Sequence, residues 1–481
     1  MLRAMPHPLS PHTLVPVEEM VARLDRVLAG SPADETELVW IEARRNVESN
    51  GKRRGDGGDG GDGRKGGGGE SLERTVLVRV RESGRVGMHR TGFTGLSDLE
   101  KAVREALAQA RLSRLAPPTR LPDGAAEALP PAAPSNITCD AEIPRLTPAR
   151  VKEVIQRTAE AGEVARLGWA EGRFAVVNSR GLRRSAEVTA AWMDVRCGQM
   201  PGAGRATAVA RSLAALDAPA VFARARQNHL GVGPGPGSGE MPPGRLPSTS
   251  VVLAPEAVAA LLDLLNRHAL SSLSFLDGAS WLCDKVGQEV FHPAINLRDD
   301  PLAPCGAPFP FDLLGSAKRP LDLVRRGVFL TPPRDQRLAQ ALALAPTAHL
   351  VAPDEALCSH LALAPGELSG AELLGRADGG LWIGELDPVE AFEPRALRFR
   401  AGARGVRRIT GGALGPGLPD LLWEDCLPAL LTRVLGVGNQ AAPVVPSPDC
   451  DPLLGAFCMP ALALAAVDGL HGLRREATPR S

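Results

Sequence analysis

Apolar residues recur at helical spacing from Pro16 to Leu28, where Val17, Met20, Val21, Leu24, Val27 and Leu28 share a face, with Pro16 suited to the first turn and Gly30 to the end. The period then shortens. Glu37 to Ala43 reads as a strand, and Val76, Val78 and Val80 alternate with Leu77, Arg79 and Arg81 before Glu82, Ser83 and Gly84 turn the chain back through Val86 and Met88, a hairpin. Ser97 and Glu100 have the spacing of a capping box ahead of Leu99, Val103, Ala106, Leu107 and Ala110, which predicts a second helix ending before Pro117. A further helix is expected from Pro148 to Ala161, then a strand from Trp169 to Val177, a polar turn, and a returning strand from Ala186 to Val195.

The second half opens with a strand, Ser250 to Leu253, and a helix from Pro255 that carries Val258, Leu261, Leu262 and Leu265 on one face. Short strands and turns follow: Gly287 to Leu297, Pro308 to Gly315, Leu321 to Leu330 and Leu381 to Ile409. These elements predict an α+β protein. An N-terminal α/β unit with helices on a small mixed sheet occupies residues 14–113, a proline-rich connector and middle α/β segment residues 114–245, and a β-rich C-terminal domain with a few helices residues 246–472. With 481 residues the chain exceeds the roughly 250 to 300 at which a single core stops growing, which agrees with several folded units.

Composition narrows the function. Lys plus Arg and Asp plus Glu are 55 each, so no overall field draws the chain to phosphate backbones, and a general nucleic-acid binder is disfavoured. Tyrosine is absent and Phe and Trp are few, which leaves a core of Leu, Val and Ala and few stacking platforms for single strands. Gly 52 and Pro 43 call for loops, among them the glycine and aspartate run 55–69 and the stretch beginning at Gly231. The first lacks the large apolar residue of calcium-binding β-roll repeats and reads as a flexible connection; prolines in the second remove backbone donors a phosphate would need. The N-terminus has no apolar signal core and no stretch reaches about 18 apolar residues, so a cytoplasmic protein with no membrane partner is expected. Eight scattered cysteines without a CxxC pair predict reduced thiols.

Candidate chemistry is sparse. Asp299 and Asp300 before Pro301 could ligate a metal or act as acid and base, but neighbours on a strand point to opposite faces, and short polar residues before Pro suit a turn. His360 near Cys358, and the pair Cys450 and Cys458, stand without a second cluster, and no Gly-x-Ser-x-Gly elbow is present. Six arginines at 395, 398, 400, 404, 407 and 408 form a basic stretch, which alternation at 397–400 marks as a solvated strand face.

Several pieces in one order carry a resemblance: FAVVNSRG at 174–181, VVLAPEAVAALLDLL at 251–265, KVGQEVFHPAINLRDDP at 285–301, PFDLLG at 310–315, LVRRGVFL at 323–330 and PGELSGAELLGRADGGLWI at 365–383. Their order resembles the TldD/PmbA family, in its PmbA or TldE branch, over about residues 16–470. The signature positions taken from it are Asn178, Ser179, Gly181, Asp299, Asp300, Pro301, Phe311, Asp312 and Gly315, and all read as structural. The resemblance implies that catalytic members carry His-Glu-x-x-x-His on the helix after the opening strand of the second half, with a later cysteine, the outer histidines holding zinc and the Glu taking a proton from water. Here that segment reads Asp263, Leu264, Leu265, Asn266, Arg267, His268, and the cysteine position falls at Leu435. Asp263 and His268 lie five residues apart, about 140° off one face of a regular helix, so they are not expected to chelate. Neither a catalytic residue nor a metal nor a cofactor is therefore expected in this chain. The resemblance implies a pseudoenzyme subunit that pairs with a zinc-bearing TldD-like partner, or self-associates, and helps bind extended peptides for proteolysis or leader-peptide processing; a stand-alone regulatory protein of the gyrase-modulator type is the alternative.

Overall fold

The computed structural model describes residues 13–50, 70–93, 95–114, 121–122, 138–198, 203–229, 244–303, 307–352, 354–447 and 450–472. The glycine-rich run 55–69, the body of the loop after Gly231 and much of the expected connector lie outside these residues.

Six strands form one sheet in the order β3-β2-β1-β4-β5-β6, with β1 Glu35–Ser49, β2 Ser71–Glu82, β3 Arg85–Gly92, β4 Glu163–Asn178, β5 Arg183–Cys197 and β6 Gly204–Ala210. Every pairing is antiparallel, where a mixed sheet was expected, and strands from the middle of the chain extend the sheet begun at the N-terminus beyond the small one expected.

Alternation along the strands sends side chains to two faces. One face presents Leu38 and Trp40 of β1, Leu167, Trp169, Ala175 and Val177 of β4, and Ala191, Met193 and Val195 of β5. Four helices cover it: α1 Val17–Ala29, α2 Leu96–Leu112, α3 Pro148–Thr158 and α4 Ala218–Asn228. In α1 the expected stripe is realised, with Met20, Leu24 and Val27 buried against the sheet. The cap of α2 differs from the sequence reading: Gly95 is the N-cap, its amide bonds Asp98 at 3.1 Å, and Ser97 lies inside the helix. Helix α2 approaches so closely that a Cβ on Gly87 of β3 would sit 2.0 Å from the Ala106 carbonyl oxygen, so only glycine fits there.

The other face of the sheet meets the second half of the chain. Val39, Phe174, Val176, Leu182 and Val188 pack with Phe309, Phe311, Leu314 and Leu453, and Phe309 stands edge-on to Phe174 at 4.9 Å.

The second half is sheet-rich, as expected. Thr249–Leu253 pairs antiparallel with Phe457–Val467 and parallel with Leu381–Ile383, inside a ten-stranded sheet among the described residues, and Val434–Val444 runs along the outer side of Phe457–Val467. A five-stranded sheet includes Glu385–Glu393, Arg398–Arg404 and Leu421–Cys426. Between them lies the largest core cluster, with α5 Pro255–Leu265 contributing Val258, Leu261, Leu262 and Leu265. Among the described residues no helix is long and apolar enough to cross a membrane.

Candidate functional site

Helix α5 does not end as a regular helix. It runs into a π turn over Asn266–Leu270. The turn is held from outside: the Asn266 amide donates to the Cys358 carbonyl at 2.9 Å and accepts from the Cys358 amide at 3.0 Å, and the Ser280 hydroxyl donates to the Ala269 carbonyl at 2.7 Å. A π turn closes i to i+5 bonds and so widens the spiral. Asp263 and His268 therefore line the same cavity, which the geometry of a regular helix excludes and the sequence reading did not anticipate.

That cavity has a volume of about 320 Å³ and lies where the N-terminal sheet meets α5, the start of strand Glu385–Glu393 and residues 445–447. Arg205 of β6 forks onto Asp194 at 3.0 and 3.1 Å and reaches Glu385 at 2.6 Å, tying the two halves together beside it.

The residues that would have to hold zinc do not fit it. Asp263 accepts from the Arg267 guanidinium at 2.8 Å, and that cation also contacts Ser447 at 3.0 Å. Leu264, at the place of the proton-accepting carboxylate, is 5% exposed and offers no polar atom. Burial, then the Arg267 charge, lowers the His268 pKa, so the ring is neutral at neutral pH, and a metal beside it would face that guanidinium. Leu435 does not line this cavity. It packs with Leu368 and Leu374 around helix Gly370–Arg376, and its carbonyl accepts from Arg376 at 2.8 Å.

A different cysteine feels the site: burial pushes the Cys450 thiol up to about 12, and the Asp263 and Asp451 carboxylates add to the shift. A thiol so disfavoured as thiolate is a poor ligand and a poor nucleophile. Among the described residues no three His, Cys, Asp or Glu side chains are grouped to hold a metal. Arg205, Glu256, Glu385 and Ser447 were missed in the sequence because they arrive from distant segments with no shared motif, and Cys450 was noted only as an isolated thiol.

The signature positions gather elsewhere, on the seam between the sheet and the second half. Asn178 accepts from the amides of Arg180 and Leu182 at 2.9 and 3.1 Å and closes the turn after β4. Ser179 is paired to Thr36 of β1 through both amide and hydroxyl, and Gly181 takes φ +83°. Asp312 accepts from the amides of Leu314, Ser316 and Leu350. Gly315, at φ +83°, sits where a Cβ would come within 2.7 Å of Leu182. Phe311 is buried against Phe309.

Asp300 and Pro301 make the expected turn, with Asp300 accepting from the Leu302 amide at 3.3 Å. Asp299 departs from that reading. It is fully buried at the end of Leu297–Asp299, accepts from the His360 amide at 2.7 Å, and faces His349 Nε2 at 3.2 Å. Burial acts to raise its pKa, but His349, His360 and Lys318 outweigh burial and leave the carboxyl below its ordinary value. Lys318 donates to Ser359 at 2.7 Å, and burial pushes its pKa down; His360, pushed down to about 3 chiefly by burial, is neutral. Asp299, His349, His360 and Lys318 thus form one buried ionisable cluster beneath the seam.

Four of the six arginines noted above are engaged: Arg398 with Glu393, Arg400 with Glu424, Arg404 with Asp387, and Arg407 with carbonyls of Gly415 and Gln227. Six cysteines among the described residues are free thiols, whereas Cys458 is disulfide-bonded, which corrects the expectation of reduced thiols throughout.

A seam of turn-forming residues over an α+β frame, with the cavity beside α5, is the arrangement of a metallopeptidase-related protein. Residues 247–468 match the PmbA/TldA metallopeptidase C-terminal domain, in agreement with the resemblance to the TldD/PmbA family read from the sequence. The fold of the chain is similar to that of TldE from Thermococcus kodakarensis, with 17% identity, a TM-score of 0.74, and 94% of this chain and 100% of that one covered. It is equally similar, at 19% identity and a TM-score of 0.74 over 93% and 99% of the two chains, to a candidate modulator of a DNA gyrase from Thermotoga maritima. A third such protein, from Bacteroides thetaiotaomicron, gives 15% identity and a TM-score of 0.73 over 96% and 100%. No curated protein matches the sequence.

Proposed function

We propose that this chain is the non-catalytic, TldE-like subunit of a TldD-type metallopeptidase pair, which helps hold extended or unfolded peptide for a zinc-bearing partner. The observation that carries the reading is at α5. Where the family's catalytic helix needs two imidazoles and a carboxylate, this chain has an aspartate tied to Arg267, a buried leucine, and one neutral histidine. Water activation needs a metal that lowers the pKa of the water and a base that takes its proton, and neither can be assembled from these side chains.

Peptide handling is supported by a second cleft of about 460 Å³ along Gly438 to Pro443, walled by Val221, Leu373 and Trp382 and carrying Asn439 and Gln440. An extended segment lying beside a strand can bond main chain to main chain with little dependence on sequence. The second reading, a stand-alone regulator, would draw on the basic stretch at 395–408, most of whose charge is already engaged within the molecule. Cytoplasmic location goes with the first reading.

Co-expression with the TldD-like subunit from the same genome tests it. A stable complex that cleaves unfolded peptide, with the isolated chain inert, is the expected result. A folded chain that never associates with that subunit would remove the support for pairing.

A further inference from the structure

The cavity beside α5 has lost its metal chemistry, yet it is not an apolar plug. Four carboxylates line it, Glu256, Asp263, Glu385 and Asp387, against two guanidiniums, Arg205 and Arg267. All four are paired with arginine: Asp263 with Arg267 at 2.8 Å, Glu385 with Arg205 at 2.6 Å, Asp387 with Arg404 at 3.0 Å and Glu256 with Arg224 at 3.3 Å. Glu256 is set apart only by its second carboxylate oxygen. It stands in the first turn of α5, its side chain is 6% exposed, and its Oε1 accepts from the Thr207 amide at 3.2 Å and Arg224 at 3.3 Å. Its other oxygen, Oε2, is buried with no donor.

A buried acceptor left without a donor is costly, and a carboxylate oxygen is best satisfied by a charged N–H. Around it the wall alternates in chemistry, with Ala260, Leu264 and Val389 beside the charged groups. Such a wall suits an alkyl stem that ends in a cation. A metal ion would ask for several convergent ligands, which are not grouped among the described residues.

We infer that the former catalytic cavity is a seat for a primary ammonium group, carried by a peptide and held by Glu256 within the acid-rich wall. The inference rests on the reading that this chain handles peptides, and it assigns the abandoned site a task, anchoring one charged end or side chain. The shared chemistry is the ammonium, supplied either by an amino terminus or by a lysine side chain.

The test is titration of the purified full chain, by calorimetry, with tetraalanine, with Nα-acetyl-tetraalanine and with Nα-acetyl-lysine amide, each with a chelator present. Saturable one-to-one binding is expected for an amine-bearing probe and not for acetylated tetraalanine; which of the two amines binds identifies the source. Glu256→Gln keeps an oxygen for Thr207 and Arg224 but replaces the free carboxylate oxygen, and at least about a tenfold loss of affinity is expected. Ala260→Leu, which fills the cavity from its apolar wall, gives the same loss should Glu256→Gln fail to fold. The proposal is overturned if neither amine binds at about 10 mM, if the acetylated peptide binds as well as the free one, or if both folded variants bind with the parent affinity. A chain that binds no amine but still assembles with its partner would sink this inference and leave the pairing intact.

Discussion

Replacing Arg211 by methionine would remove the cation that fastens the helical sheet to the second half. The guanidinium is buried and makes six contacts of 2.6 to 3.4 Å, to the carbonyls of Thr189, Ala307, Pro308, Pro452 and Leu453, and no carboxylate is among these partners. Burial, opposed by the charges of Asp451 and Cys139, pushes its pKa down to about 9, and the carbonyl ring helps keep the charge inside. Each bond to a charged donor contributes about 1.5 to 3 kcal/mol, and each carbonyl left buried without a donor costs about 1 to 3 kcal/mol. Against this, methionine relieves the several kcal/mol of desolvation that the cation suffers. With some carbonyls regaining water, a net loss of about 3 kcal/mol is expected, concentrated at the seam. Hydrogen exchange read by mass spectrometry checks it: segments 307–314 and 450–457 should exchange faster in Arg211→Met while the helical face of the sheet stays protected. Arg211→Lys, with three donors in place of five, should fall between. Unchanged exchange at both segments, with urea stability within about 0.5 kcal/mol of the parent, would refute the reasoning.

Three further outcomes are expected. Burial raises the Glu37 pKa from 4.5 to about 7, with Asp312 adding to the shift and Arg79 opposing it. A carboxyl raised in the fold stabilises fully below its unfolded pKa and loses that contribution as pH rises through 7, so Glu37→Gln should gain on the parent by up to about 3 kcal/mol between pH 5 and pH 8; a urea-denaturation difference independent of pH would contradict this. Gly315→Ala places a methyl 2.7 Å from Leu182 at φ +83°, and a loss of about 2 kcal/mol is expected in the same assay, whereas a neutral result would deny that the turn is docked there. Cys450, held up to about 12, should resist iodoacetamide at pH 8 in the native chain and react after unfolding; rapid native alkylation would show a thiolate at the site.

Periodicity carried much of this fold into view. The stripe of α1, the turn at Asn178 to Gly181 and the apolar face of α5 are local patterns, and each is realised. The sheet was less legible. Strand β6 and the long pair Val434–Val444 with Phe457–Val467 are rich in Ala and Gly, and their partners lie far away in sequence. The cavity was the least visible of all. A regular helix places Asp263 and His268 on different faces, and the π turn that reunites them is imposed by Asn266 bonding Cys358, a contact between residues 92 apart. Asp299 likewise looked like a turn residue because nothing local marks His349 and His360 as its neighbours.

Turnover measures most directly whether α5 can organise water for peptide hydrolysis. The purified chain, given an unfolded peptide and supplied in turn with chelator and with zinc, should show no cleavage in either condition, and cleavage should begin only when a TldD-like subunit is added. Hydrolysis by the chain alone, abolished by the chelator and restored by the metal, would contradict the account.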